Sequence, residues 1–240
     1  MRVWPIVNPT TTIVEAVFFI PKNFKKGFIT AVITLSTLIT LRNSIKIINA
    51  IIDSFKMVDS ILMPSIHFVK PKCGSTCTMF LRIANKLALI NLGDSNLVLY
   101  INGNKNIVMK EHTYSFNSEE KERIDKLVDN KEIKLIKDWK PKVLNSEDIT
   151  MVRSNYICLP NYNSEQIAPT KSFGHYTWKK YNKMNVVPYI EIVEMIKGST
   201  YEIVLMSDGV LDILASIDEI YPIISSSNNQ SMDLVNFSEN

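Results

Sequence analysis

Apolar residues recur at helical spacing along one stretch of the chain: Ile45, Ile48, Ile52, Phe55, Met57 or Val58, and Ile61 or Leu62. Lys46, Asp53, Lys56 and Asp59 take the other face. That period predicts an amphipathic helix over about 44–63. Just before it, residues 28–41 (FITAVITLSTLITL) form an apolar run with five hydroxyl side chains, ending at Arg42. A membrane span needs about 20 predominantly apolar residues, so this run predicts a buried core helix over about 26–41 instead.

After Pro64 and Pro71 the period changes. Residues 77–84 and 86–92 are apolar runs of strand length, and 96–101 and 105–110 flank an Asn102-Gly103 step. An Asn-Gly pair between apolar runs is a strong hairpin signal, so 75–110 predicts an antiparallel meander. Residues 117–138 predict a charged helix and its exit, with Ser118 as N-cap. The stretch 139–185 is polar, aromatic and irregular and predicts loops and a small flap subdomain. Regular patterning returns at 186–207, a helix is expected from about 210 to 220, and 225–240 reads as a loose tail. Residues 1–13 give no pattern. With no repeat and no separating linker, the chain predicts a single domain over 1–240 of the α+β class, helices layered on antiparallel sheets.

Composition narrows the function classes. The chain has 240 residues, 46% hydrophobic and 21% charged, which excludes a disordered or fibrous protein. A net charge of +3 argues for neither nucleic acid nor an anionic membrane as partner. Ile, Lys and Asn are over-used, the imprint of an AT-rich genome. Three cysteines, an odd number at irregular spacing and without a secretory signal, imply a reducing, intracellular and cytoplasmic setting. Cys73 and Cys77 have no further ligands close enough in sequence for a zinc site and are expected as buried thiols.

The chemistry gathers at two aspartates. In Val204–Leu214 an apolar strand delivers Asp208 at its end, Gly209 permits a sharp turn, and a helix begins at once. A carboxylate on a rigid strand end suits a hard divalent cation, and equally suits capping of a helix that starts at Val210. Asp94, in Gly93-Asp94-Ser95, sits in a tight connection between two strands, where Gly-Asp-Ser is ordinary turn chemistry.

Taken together these segments resemble the metal-dependent type 2C protein serine/threonine phosphatases. Gly74-Ser75-Thr76 followed by Leu81–Ser95 is similar to that family's GSTA…VANVGDSR strand pair. Ala168–His175 with Lys179 is similar to its LAVSRSFGD…K segment. Val187-Pro188-Tyr189 and Ile203–Leu214 are similar to its Pro-containing stretch and LASDGLWDVL motif. Glu120–Ile124 is similar to the ExxRI helix start, and Ala50–Phe55 with Asp59 to the helix before GST. The resemblance implies a sandwich of two antiparallel sheets flanked by helices, and hydrolysis of phosphoserine or phosphothreonine by a water activated between Mg²⁺ or Mn²⁺ ions. It implies Asp208 as a metal ligand, with Gly209 and Ser207 supporting it. Asp94, supported by Gly93, is implied as an accessory ligand of a weaker metal. A phosphorylated protein is the implied partner.

The pattern also departs from the family. The strand that should end in VFDGHGG and supply the bridging aspartate is Ala16–Ile20, continuing as Pro21-Lys22-Asn23-Phe24-Lys25-Lys26-Gly27 without an acid. Both ends of the chain are expected to lack family strands, including a late DN motif, so the sandwich is expected to be incomplete there. His175 stands where the family has Asp, and Asn96 where it has Arg. Metal binding is therefore expected to be weak or absent, and no catalytic or phosphate-binding residue is assigned. The alternatives to an active phosphatase are an inactive phosphatase-like protein that binds phosphoproteins or acts as a decoy, and a gene fragment. Lys22, Lys25 and Lys26 could hold an anion such as a phosphopeptide phosphate. Lys134, Lys137, Lys140 and Lys142 around Trp139 could bind an acidic partner, against the simpler reading of a solvated loop. His67 and His112 read as structural or surface residues, and His175 as a hydrogen-bonded loop histidine.

Overall fold

The structure, a computed structural model, describes residues 2–6, 16–19, 44–69, 73–143, 149–160, 166–213 and 216–225. The expected helix over 26–41, the lysines at 22, 25 and 26, and the tail after Ser225 lie outside the described residues.

In chain order the elements are β1 (Arg2–Ile6), β2 (Ala16–Phe19), α1 (Ser44–Val69), β3 (Gly74–Ser75), β4 (Cys77–Ile83), β5 (Lys86–Leu92), β6 (Asn96–Ile101), β7 (Asn104–Val108) and α2 (Ser118–Asp129). Then come β8 (Lys134–Val143), β9 (Ile149–Cys158), β10 (Gln166–Ile167), β11 (Phe173–Gly174), α3 (Tyr176–Lys180), β12 (Tyr189–Glu194), β13 (Tyr201–Met206) and α4 (Asp208–Ile213). A 3-10 turn (Ile217–Glu219) leads into α5 (Ile220–Ser225).

Two four-stranded antiparallel sheets, ordered β1-β13-β6-β7 and β12-β5-β4-β2, form the centre. Side chains alternate across a strand, so a strand buried on both faces reads as a continuous apolar run. β4, β5, β6 and β13 are such strands. Phe80, Leu87, Leu89, Leu97, Leu99, Ile203 and Leu205 meet between the sheets. Their neighbours Met79, Leu81, Ala88, Ile90 and Leu92 face outward under Ile47, Ile51, Phe55 and Val58 of α1. On the far side Val98, Tyr100, Val204 and Met206 lie under Ile220 and Ile224 of α5. Helix, sheet, sheet, helix is the α+β sandwich expected.

Several local expectations change. The strands of 75–110 are where the pattern puts them, but they do not form one meander: β4 and β5 belong to one sheet, β6 and β7 to the other. α1 does not stop at Pro64 but continues to Val69. Its buried face is Ile47, Ile51, Phe55 and Val58, with Asp59 buried beside them, while Ile45 and Ile61 of the expected apolar face are exposed. The sheet below lies one position round the helix from the face the sequence pattern favours. The N-cap of α2 is Asn117, whose side chain accepts from the amides of Glu119 and Glu120, while Ser118 is the first helical residue. Arg2–Ile6, without pattern in the sequence, adds an edge strand beside β13. Pro5 falls opposite Glu202 there, and an edge tolerates a residue without an amide hydrogen. The stretch 139–185 is more regular than expected, because β8 and β9 pair over ten residues each and carry β10 at their side. A small second core, Ile124, Ile133, Ile157, Leu159, Trp178 and Met184, ties their base to α2. Among the described residues no helix is long and apolar enough to cross a membrane.

Candidate functional site

β5 ends at Leu92 and β6 begins at Asn96, so Gly93-Asp94-Ser95 carries the chain from one sheet to the other. Gly93 sits at φ +111°, and a Cβ there would come within 2.2 Å of Thr76 Cγ2. Only glycine fits both demands. The turn is locked by buried polar groups. Asn91 Nδ2 donates to the carbonyls of Ser95 (2.8 Å) and Lys110 (3.1 Å), and its Oδ1 accepts from Thr78 Oγ1 (2.7 Å). Thr76 and Ser95 hydroxyls lie 3.2 Å apart.

His112 closes the other side. Its amide donates to the Gly93 carbonyl (2.8 Å), and the Gly93 amide donates to His112 Nδ1 (3.2 Å). An Nδ1 that accepts carries no proton, so the ring is neutral with its proton on Nε2. Burial, helped by the Lys171 cation, pulls its pKa down to about 4. His112 is therefore the structural histidine expected, and its structural role is specific, because it holds the residue before Asp94. Asn91 was not singled out in the sequence, although a polar residue inside the apolar run Ala88–Leu92 was the available signal.

β13 runs antiparallel to β6 with Met206 opposite Asn96. Ser207-Asp208-Gly209 thus leaves at the level where Asp94 and Ser95 arrive, and the structure brings Asp208 and Asp94 to one end of the sandwich. Asp94 is half-buried, whereas Asp208 is exposed and is the first residue of α4. Since α4 starts at Asp208, the expected cap of a helix beginning at Val210 is corrected. Asn96, standing at the family's arginine position, is buried and donates to Glu111 Oε1 (2.9 Å).

Two segments about 100 residues apart in sequence meet at the same end. β11 pairs with β3, Phe173 opposite Ser75 and Gly174 opposite Gly74. His175, at φ +47°, donates its amide to the Cys73 carbonyl (2.7 Å), and its Nδ1 lies 2.6 Å from Ser172 Oγ. A Cβ on Gly74 would sit 2.0 Å from that Nδ1. His175 is thus packed and hydrogen-bonded, as the sequence suggested. Buried Asp59 of α1 accepts from the Gly174 amide (2.9 Å) and pairs with Lys179, clamping the segment to α1. Burial lowers the Lys179 pKa against the pull of that carboxylate. From α2, buried Glu120 binds Arg123 (2.7 Å) and Lys171 (3.2 Å). Arg123 reaches the Thr170 carbonyl (3.1 Å), and the Thr170 amide donates to the His112 carbonyl (2.7 Å).

β2 lies antiparallel to β4 with its last residue, Phe19, opposite Thr78, so it too ends at this end of the sandwich. Among the described residues no group of three or more His, Cys, Asp or Glu is placed to hold a metal ion. Mg²⁺ takes six oxygens, one or two of them carboxylate and the rest largely water. Among the described residues Asp94 and Asp208 thus offer single carboxylates, with no third acid to bridge two ions. Cys77 is the buried thiol expected, and burial pushes it up to about 12. Cys73, against the expectation, is exposed, because it lies in the connection ahead of β3, and Cys158 at the end of β9 is buried.

The protein phosphatase 2C family model matches residues 29–240. No curated protein sequence matches. Among solved structures, the chain is similar to a serine-threonine phosphatase 2C from Toxoplasma gondii (17% identity, TM-score 0.59, 80% of this chain and 60% of that one). It is also similar to a C. elegans sex determining protein (14%, TM-score 0.59, 89% and 48%). A third similar structure is the catalytic domain of the serine threonine protein phosphatase PstP in complex with two manganese ions (15%, TM-score 0.50, 94% and 79%). The chain spans 60% and 48% of the length of the first two. At these identities the likeness is one of fold, and the family model carries the assignment: with its sheet-crossing Gly-Asp-Ser turn and its strand-end Asp208, the chain belongs to the protein phosphatase 2C family.

Proposed function

We propose that this chain is a phosphatase 2C domain that binds phosphoserine- or phosphothreonine-containing protein and does not hydrolyse it unaided. One observation carries the reading: no acidic residue occurs between Glu15 and Asp53. The strand inside that stretch, β2, ends beside β4 at the same end as Asp94 and Asp208. There the family resemblance calls for the aspartate that bridges two metals, and the sequence runs instead into Lys22, Lys25 and Lys26. Ammonium groups in place of a carboxylate disfavour a dication and favour an anion such as phosphate. Mg²⁺ or Mn²⁺ binding by Asp208 and Asp94 is accordingly weak. The odd cysteine count, with no disulfide among the described residues, supports a reducing, intracellular setting.

Phosphate release from a phosphothreonine peptide, with and without Mn²⁺, tests the first half. The expected result is release no greater than that of Asp208→Ala; release that saturates with Mn²⁺ and vanishes in Asp208→Ala would overturn it. Calorimetric titration with the same peptide tests the second half, binding being lost in the Lys22/Lys25/Lys26→Ala triple variant. A second reading, metal-dependent hydrolysis by the chain itself, is favoured by the meeting of Asp94 and Asp208 at one end, and the first assay decides between the two.

A further inference from the structure

We infer that the β8–β9 hairpin, with Phe116 beside it, is a docking surface for an extended acidic segment of another protein that carries an apolar side chain. The inference does not rest on the phosphate-binding reading. Its first support is charge. The two strands hold Lys134, Lys137, Lys140, Lys142 and Arg153 against Asp138, a net +4. The whole chain carries +3, so the rest of it totals −1.

The second support is placement. Among the described strands β8 lies at the edge of the β10-β9-β8 sheet, and an edge strand offers backbone groups to an extended peptide. Lys134, Asp138, Lys140 and Lys142 fall at positions of β8 separated by even numbers of residues, a net +2, and Trp139 is opposite Arg153 in the register. α4, which begins with Asp208, packs in part against β8.

The third support is an exposed aromatic anchored to the hairpin. Asn155, opposite Lys137 in the register, donates to Ser115 Oγ (2.7 Å). The next residue, Phe116, is 74% exposed. Asp125 of α2 feels Lys137 but is already bonded to Lys121 (2.6 Å) and to the Tyr114 hydroxyl (2.9 Å). An extended polypeptide fits these features better than a polynucleotide, which has no amide pattern to pair with a strand edge.

The probe is a short, labelled, unphosphorylated peptide of glutamates around one phenylalanine, followed by fluorescence anisotropy on the full chain. The glutamine analogue is its control. The wild type is expected to prefer the glutamate peptide and to lose affinity as salt rises. Lys140→Glu/Lys142→Glu should weaken it about tenfold, and Phe116→Ala about threefold. Lys46→Glu/Lys197→Glu, at exposed positions elsewhere, should leave it unchanged. If the charge-reversed strand fails to fold by circular dichroism, Lys140→Gln/Lys142→Gln replaces it and should still weaken binding. The inference is overturned by equal affinity for the glutamine peptide, by an unchanged affinity in the folded hairpin variant, by an equal loss in Lys46→Glu/Lys197→Glu, or by displacement with single-stranded RNA. Because the probe carries no phosphate, failure here is separable from failure of the phosphopeptide assay.

Discussion

Gly93-Asp94-Ser95, which enters β6, and Ser207-Asp208-Gly209, which leaves the neighbouring strand β13, lie at the same end of the sandwich, yet they are secured differently. The first crosses between sheets, and its backbone is bonded to buried Asn91 and His112. The second runs straight from β13 into α4, with the Val210 amide on the Ser207 carbonyl (3.2 Å) and Asp208 exposed. Buried backbone must be paired, so the crossing turn recruits side chains to pair it, whereas the exposed turn is satisfied by solvent and its own helix. One aspartate is positioned by the interior; the other is carried on the surface.

The comparison can be broken most strongly at Gly93. Gly93→Ala adds a Cβ against Thr76 at a positive φ and is expected to cost about 3 kcal/mol in urea unfolding. Gly209→Ala, whose Cβ would meet nothing closer than Ser207 Oγ at 3.8 Å, should cost far less. Next in size, His112→Ala removes a buried partner of the turn and should cost about 2 kcal/mol at neutral pH.

That histidine also gives the fold a pH dependence. Burial holds His112 and His175 near pKa 4, below the ordinary 6.5, the cations of Lys171 and Lys179 acting in the same direction. Between those values the unfolded chain binds more protons than the folded one. Stability is therefore full above pH 6.5 and falls as pH drops toward 4, by up to about 1.4 kcal/mol per pH unit for each histidine. Urea unfolding of wild type and His112→Ala from pH 7 to 5 measures this, and the variant should show the shallower slope. Smallest of all, Asp208→Ala should shift stability by no more than about 0.5 kcal/mol, since an exposed first-turn carboxylate contributes little. A large loss there would mean that the two turns are secured alike.

Much of the fold was legible because the central strands are buried on both faces. NLVLYI and KLALINL announce themselves by apolarity alone, and Asn102-Gly103 marks the hairpin between β6 and β7. β8 was not legible. In Lys134–Val143 four lysines and Pro141 interrupt any alternation, and the strand exists because β9 pairs with it along its length. The cap of α2 failed by one residue for a related reason: Asn117 and Ser118 are both good cap formers, and only the backbone angle, φ −135° and ψ 111° at Asn117, decides between them. Of the site, Asp94, Asp208 and His175 could be named from the sequence. The supporting roles of Asn91 and His112 could not, since they depend on what lies across the turn.

Helix formation in α1, the run of apolar strands and the ordered motifs that mark the family follow from the sequence, because each depends on residues close together in the chain. Which face of α1 is buried does not, since Ile47, Ile51, Phe55 and Val58 are covered while Ile45 and Ile61 are exposed. Tertiary structure alone decided that β5 and β6 part into different sheets, that Gly74 meets His175, and that Asp94 and Asp208 arrive at one end. Those outcomes rest on pairings between distant strands, and no local pattern of side chains specifies which distant strand will be the partner.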